Sequence, residues 1–254
     1  MMMKPAGMMR KLLAALAFLA APAAAQPMGS PCAPTEFEGT RFTLCTVEAG
    51  QDLRLFHSDE GGLLGSFAAV NRVLAREGKT LGFAMNAGMY HADREPVGLY
   101  VENGQQRSAI VLPASPGNFG LLPNGVFCIA AGRFAVIEST AFAAAPPDCR
   151  FATQSGPMLV IGGKLHPRFI PGGDSRYIRN GVGVSADGRR AVFAISEQPV
   201  NFDTFGRLYR DVLGLPDALY LDGKISRLYA PGLGRSDLGF AMGPIVGLAV
   251  PNQP

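Results

Sequence analysis

The stretch RNGVGVSADGRRAVFAIS, residues 179–196, decides the fold. Residues 182–185 and 191–195 are short apolar runs of the kind that fill a strand, and Asp187-Gly188 between them is a pair that tolerates the left-handed backbone of a tight hairpin. A hairpin makes its two strands antiparallel. Asn103-Gly104 and Gly162-Gly163 repeat the pattern, each flanked by a β-like run. Further runs of this type occupy 81–85, 97–101, 126–129, 134–137, 158–161, 218–221 and 245–250.

Helical spacing occurs in two places. Leu63, Leu64, Phe67, Val70, Asn71 and Leu74 keep apolar groups mostly on one face up to Gly78, which predicts a helix over roughly 62–77 ended by glycine. A second helix is predicted from near Asp203 or Thr204, with Phe205, Leu208, Tyr209, Val212 and Leu213 at helical intervals and Gly214 as its stop. Too few helices separate the strands for a repeating βαβ fold. The expected class is α+β, a curved mixed and mostly antiparallel β-sheet core with two or three flanking helices. No Pro/Ser linker or internal repeat divides residues 40–250, so residues 26–254 are read as a single domain.

The charge distribution bounds the partners. The chain of 254 residues carries a formal net charge of +3. Lys4, Arg10 and Lys11 precede a short Leu/Ala/Phe run at 12–25, and Ala23-Ala24-Ala25 offers a small-residue cleavage site; residues 1–25 therefore read as a secretory signal peptide. A membrane anchor needs roughly 20 apolar residues, more than this run supplies. Those three bases stand without an acid, so residues 26–254 are formally neutral. The composition-based case for nucleic acid disappears with the leader, and no second long apolar run follows to span a membrane. The expected location is periplasmic or secreted. Cys32, Cys45, Cys128 and Cys149, an even number for an oxidising compartment, favour two disulfides. Four cysteines allow three pairings, of which Cys32–Cys45 and Cys128–Cys149 join sequence neighbours.

Polar residues gather beside glycine at strand ends: Asn86-Ala87-Gly88, Asn124-Gly125, Gln154-Ser155-Gly156, Arg179-Asn180-Gly181, Ser196-Glu197 and Asp222-Gly223. Taken singly each is an ordinary turn signal; their recurrence points to a ligand approached closely by backbone. Along the chain, FAMNAGMYHADREPVGLYVENG (83–104), NGVFCI (124–129), QSGPMLV (154–160), RNGVGVS (179–185), FAISEQPVNF (193–202) and ALYLDGKISRLY (218–229) together resemble the phosphodiester glycosidase family, over roughly residues 40–250. Two motifs depart from the family pattern. The family's Asn-Gly-Gly-aromatic-aromatic is Asn86-Ala87-Gly88-Met89-Tyr90 here, and its Leu-Asp-Gly-Gly-Gly-Ser has Lys224 and Ile225 in place of two glycines.

The resemblance implies an exported hydrolase that cleaves the glycosyl C–O bond of a sugar-1-phosphodiester in envelope or extracellular polysaccharide, with a saccharide or sugar phosphate as partner. That chemistry needs a carboxylate near the anomeric carbon and cations on the phosphate. Asp222 is the leading carboxylate, Glu197 its acid/base partner and Glu95 a third candidate; Arg179 is the first choice for the phosphate clamp and Arg227 the second. Asn86, Asn124, Gln154, Ser155, Asn180 and Ser226 would orient sugar hydroxyls and phosphate oxygens, and His91 is a candidate acid or ligand. His57 and His166 lack zinc spacing, whereas the residue types leave room for a divalent cation on oxygen ligands such as Asp222. Nucleotide-binding glycine loops and the G-x-S-x-G elbow are absent from the sequence. Two other readings stand beside the glycosidase: a non-catalytic carbohydrate or peptidoglycan-binding module on the same fold, and a metal-dependent phosphodiesterase that cuts P–O.

Overall fold

The structure is a computed structural model that describes residues 1–2 and 29–252. The signal-peptide reading falls on residues 1–25, nearly all outside the described part. Among the described residues, three large antiparallel sheets, one two-stranded hairpin and three short α-helices build the fold, in agreement with the expected α+β class. The largest sheet has seven strands in the order Cys32–Phe37, Thr40–Glu48, Arg190–Ser196, Asn180–Val184, Asp217–Asp222, Met158–Ile161 and Lys164–Leu165. A five-stranded sheet runs Arg133–Glu138, Gly125–Ala130, Phe151–Ser155, Tyr100–Glu102, Gln105–Ser108. The other five-stranded sheet runs Arg235–Ser236, Leu228–Ala230, Lys79–Asn86, Ile245–Pro251, Leu53–Phe56.

The sequence 179–196 forms the expected hairpin, with Val182 opposite Phe193. All three glycine turns sit between antiparallel partners, and Asn103-Gly104 and Gly162-Gly163 take positive φ at both positions. Alternation along Arg190–Ser196 sends Phe193 and Ile195 into a central core shared by the three sheets. Phe193 meets Phe83 at 5.4 Å and Phe127 at 5.6 Å between ring centroids, one aromatic ring from each sheet. The opposite face of the seven-stranded sheet packs Phe42, Ala194 and Tyr220 against Phe205, Leu208 and Tyr209. Gly183 belongs to this layer: a Cβ there would stand 2.6 Å from the Tyr209 ring, so only glycine lets the helix lie so close.

The helices differ from their expected limits for local reasons. The first is Phe67–Ala75, because the Ser66 hydroxyl caps it by accepting from the Ala69 amide at 3.2 Å, while Gly62–Leu63 pairs with Ser58–Asp59 as a small hairpin. The second starts at Phe202 behind the Asn201 cap, and Leu208–Val212 continues it as a π-turn closed by Leu213 N–H onto the Leu208 carbonyl at 3.1 Å. A third, Ser139–Ala144, covers the outer face of a five-stranded sheet beside a disulfide. Both disulfides have the expected pairing, Cys32–Cys45 and Cys128–Cys149. No helix among the described residues is long and apolar enough to cross a membrane.

Candidate active site

Strand ends from two sheets meet at one place and are joined by buried polar groups. Asn180 starts its strand opposite Asp222, and its amide donates to the Asn86 backbone carbonyl at 2.8 Å across the sheet boundary. The Asn86 and Asn180 side-chain amides also face each other, at 3.2–3.3 Å. The Arg227 backbone N–H donates to Asn86 Oδ1 at 3.0 Å, and the Ser226 hydroxyl lies 2.8 Å from the Asp222 carbonyl and 3.0 Å from that of Ile178. Asn86, Asn180 and Ser226 therefore hold one another and the loop after Asp222. They brace the site from behind and do not line its cavity.

That cavity has a volume of about 450 Å³. Met89, Tyr90 and Val97 form one wall, Asn118, Ser175 and Tyr177 another, and Tyr220 with Asp222 to Ile225 the floor and lip. Strand alternation explains the floor: Leu219 and Leu221 enter the central core, so Tyr220 and Asp222 point to the other side. Asp222 is 9% exposed, and its Oδ1 accepts from the Gly223 amide at 2.5 Å and the Lys224 amide at 3.0 Å. Burial raises the Asp222 pKa, and the amides and the Lys224 charge offset only part of that rise. Tyr90 is pushed upward by burial and then by the Asp222 charge. Lys224 is exposed at the lip.

Arg179 lies beneath this cavity and is wholly buried. Its Nε donates to the Val200 carbonyl at 2.8 Å and its Nη2 to the Ser175 carbonyl at 2.8 Å, while Nη1 has no partner among the described residues. The guanidinium stacks 3.6 Å above the Phe202 ring and is flanked by Tyr220 and Tyr177 at 5.2 and 5.4 Å. Burial lowers its pKa, with partial compensation from Tyr220.

The other sequence candidates lie elsewhere. Glu197 Oε1 accepts from Thr43 Oγ1 at 2.7 Å and pairs with Arg235 at 2.5 Å, outside the lining. Arg227 is turned onto the Phe240 carbonyl. Gln154 uses its whole amide on the Leu99 and Val111 backbone and on Ser139, and Ser155 Oγ donates to the Leu221 carbonyl at 3.0 Å. Asn124 donates to the Phe119 carbonyl at 2.9 Å, leaving its buried Oδ1 unpartnered. His91 and Glu95 are exposed on a tight turn beside Tyr90. Tyr90, Asn118, Tyr177 and Tyr220 were not anticipated; for Tyr220 the available signal was its position two residues before Asp222 on a strand. Asp222 is the one acidic residue in the lining, and no group of three His, Cys, Asp or Glu converges among the described residues. One carboxylate with neutral oxygens fits a dedicated divalent-cation cage poorly.

Comparison with known proteins agrees with the architecture. The chain is 43% identical over 149 residues to "Uncharacterized protein YigE" of Escherichia coli (strain K12), a match covering 59% of this chain and 58% of that protein's length. It superposes with a TM-score of 0.58 on the catalytic domain of zebrafish N-acetylglucosamine-1-phosphodiester alpha-N-acetylglucosaminidase, auto-inhibited by its pro-peptide, covering 85% of this chain and 81% of that one. At 12% identity that likeness is one of fold. The family model described as phosphodiester glycosidase matches residues 79–236, more than half of the sequence and the whole span from the Lys79–Asn86 strand to the Arg235–Ser236 strand, so the chain belongs to the phosphodiester glycosidase family.

Proposed function

We propose that this protein is an exported hydrolase that cleaves the glycosyl C–O bond of a sugar-1-phosphodiester in envelope or extracellular polysaccharide. The observation that carries the reading is Asp222, a buried carboxylate with a raised pKa on the floor of a cavity large enough for a sugar unit. In this reading Asp222 stabilises positive charge at the anomeric carbon or activates the attacking water. Tyr90 and Tyr177 supply aromatic wall for the sugar, and Lys224 at the lip with the field of Arg179 favours the phosphate. Family membership supports the reaction class; the zebrafish protein of related fold is named for a sugar-1-phosphodiester. Export rests on the leader-like residues 1–25, and the two disulfides accord with an oxidising compartment.

The test is hydrolysis of a synthetic sugar-1-phosphodiester by the purified protein in oxygen-18 water. Label in the sugar, with activity lost in a folded Asp222→Asn variant, supports the assignment; label in the phosphate places cleavage at P–O and overturns it. One observation favours a second reading, a saccharide-binding module: glycosidases ordinarily use two carboxylates, and the lining holds one. Calorimetric binding of saccharide with no product formed would select it.

A further inference from the structure

Arg179 presents an unusual balance. It is fully buried, forms no salt bridge among the described residues, and leaves Nη1 without a partner. A buried cation without a counter-ion is costly, and such charges are ordinarily paired. Ser175, which accepts from Nη2, and the rings of Tyr177 and Tyr220 stand between this guanidinium and the cavity, and of these Tyr220 shares the strand face of Asp222.

Tyr220 is fixed in place at the cavity floor. Its ring is wedged edge-on against Phe202, 4.8 Å between centroids, and only 1% of the residue is exposed. The hydroxyl stands directly over Gly223, since a Cβ on that residue would lie 2.1 Å from the phenol oxygen. Gly223 is glycine because the phenol occupies the space of a side chain. Tyr220 and Asp222 share a strand face, so the hydroxyl and the carboxylate open into one cavity from neighbouring positions. The side chains that reach this hydroxyl are Arg179 behind it and Asn118 of the cavity wall.

We infer that the Tyr220 hydroxyl donates a hydrogen bond to a phosphoryl oxygen bound in this cavity, with Arg179 behind it as a positioning residue that polarises the phenol. The inference rests on the proposed function only in naming phosphate as the anion. Burial keeps the phenol protonated at neutral pH, so it is a donor, and the Arg179 charge partly counters that effect. Such an arrangement explains how a site lined by a single lysine holds phosphate: the buried arginine acts through the tyrosine that screens it from solvent.

The experiment is calorimetry of the purified protein with inorganic phosphate, comparing the unmodified chain with Tyr220→Phe, which keeps the ring packing. Phosphate binding about tenfold weaker in Tyr220→Phe, with an unchanged melting temperature, is the expected result. Equal affinity, or no phosphate binding by the unmodified protein, overturns the inference. For Arg179, the readout is a double-mutant cycle on phosphate affinity: Arg179→Gln is expected to weaken binding when Tyr220 is present and to add nothing in the Tyr220→Phe background, with Arg179→Lys restoring part of the affinity. Losses that simply add in the two backgrounds remove Arg179 from the role. Sugar-phosphodiester turnover is measured separately: a protein that binds phosphate through Tyr220 but releases no product refutes the hydrolase reading and leaves this one standing.

Discussion

The Glu197 carboxylate lies 2.5 Å from the Arg235 guanidinium and accepts from the Thr43 hydroxyl at 2.7 Å, and none of the three lines the cavity that holds Asp222. Arg235 is bound on its other side to Asp237 at 2.9 Å, which in turn accepts from the Leu228 amide. Glu197 thus ties the seven-stranded sheet to the strand pair that follows the site loop. Two carboxylates share one arginine here, and the arrangement reads as a tie between sheets.

Replacing Glu197 with Gln should therefore lower stability and leave chemistry alone. Both partners are partly exposed, 29% and 21%, so the loss is set at about 1 kcal/mol, read by denaturant unfolding. The kcat on a sugar-phosphodiester is expected to stay within about twofold, against the ~10²-fold or greater loss typical of a missing acid/base group. A loss of that size in a fully folded Glu197→Gln protein would return Glu197 to the catalytic machinery.

Asp222→Asn should show the opposite pattern. The folded state raises the Asp222 pKa, so it favours the neutral carboxyl. The stability this contributes is fully present below the ordinary carboxylate value of 3.8 and is lost as pH rises through the folded pKa. Asn is neutral throughout and can still accept from the Gly223 and Lys224 amides. The variant is expected to lose about 10²-fold or more in turnover, to melt no lower than the parent at pH 7, and to lose that advantage in acid. In the parent, activity should fall on acidification with an inflection above 3.8, because the ionised form does the work.

The difference between these two carboxylates shows what could be read from sequence. Turn chemistry was legible because it is local: Asn103-Gly104 adopts the two positive φ values that its residues tolerate. Glu38-Gly39 adopts the same conformation, but Glu gives no such signal, and the Cys32–Phe37 and Thr40–Glu48 hairpin went unanticipated. The helix limit at Ser66 was missed because apolar spacing ran on through Leu63 into a different element. At the site, residue types reported polarity and not partners. Asn86 and Asn180 satisfy each other across 94 positions of chain, and Gln154 pins a loop 43 residues away. Asp222 survived as a cavity residue because its hydrogen bonds are to the next two amides, leaving Oδ2 free of the distant network.

Glu102 should make stability depend on pH near neutrality. Burial raises its pKa to about 7, against opposing effects of the Arg107 charge and the His57 backbone. A raised carboxyl pKa contributes stability that is fully present below about 4.5 and is lost as pH rises through about 7. The protein is expected to lose on the order of 1 kcal/mol between pH 5 and pH 8 from this group. Glu102→Gln should flatten that part of the profile and be the more stable protein at pH 8. A parent and variant with parallel profiles over that window would show that Glu102 titrates as an ordinary surface carboxylate.

The two disulfides should matter unequally to the site. Cys32–Cys45 closes a 13-residue separation between directly paired positions of an edge hairpin, whose register already holds its two strands together. Cys128–Cys149 closes 21 residues and staples the Gly125–Ala130 strand to the segment beyond the Ser139–Ala144 helix, under which Gln154 holds Ser139. Loop entropy alone assigns each bridge roughly 3 kcal/mol, with the longer loop slightly favoured. The paired replacement Cys128→Ser with Cys149→Ser is expected to destabilise by about that amount and to loosen residues 111–119, because Gln154 and Ser139 lose their shared support. Asn118 in that segment lines the cavity, so KM should rise more than kcat falls. The Cys32→Ser with Cys45→Ser protein should lose stability with KM unchanged. Equal effects of the two pairs on KM would mean that the second disulfide is not coupled to the cavity wall.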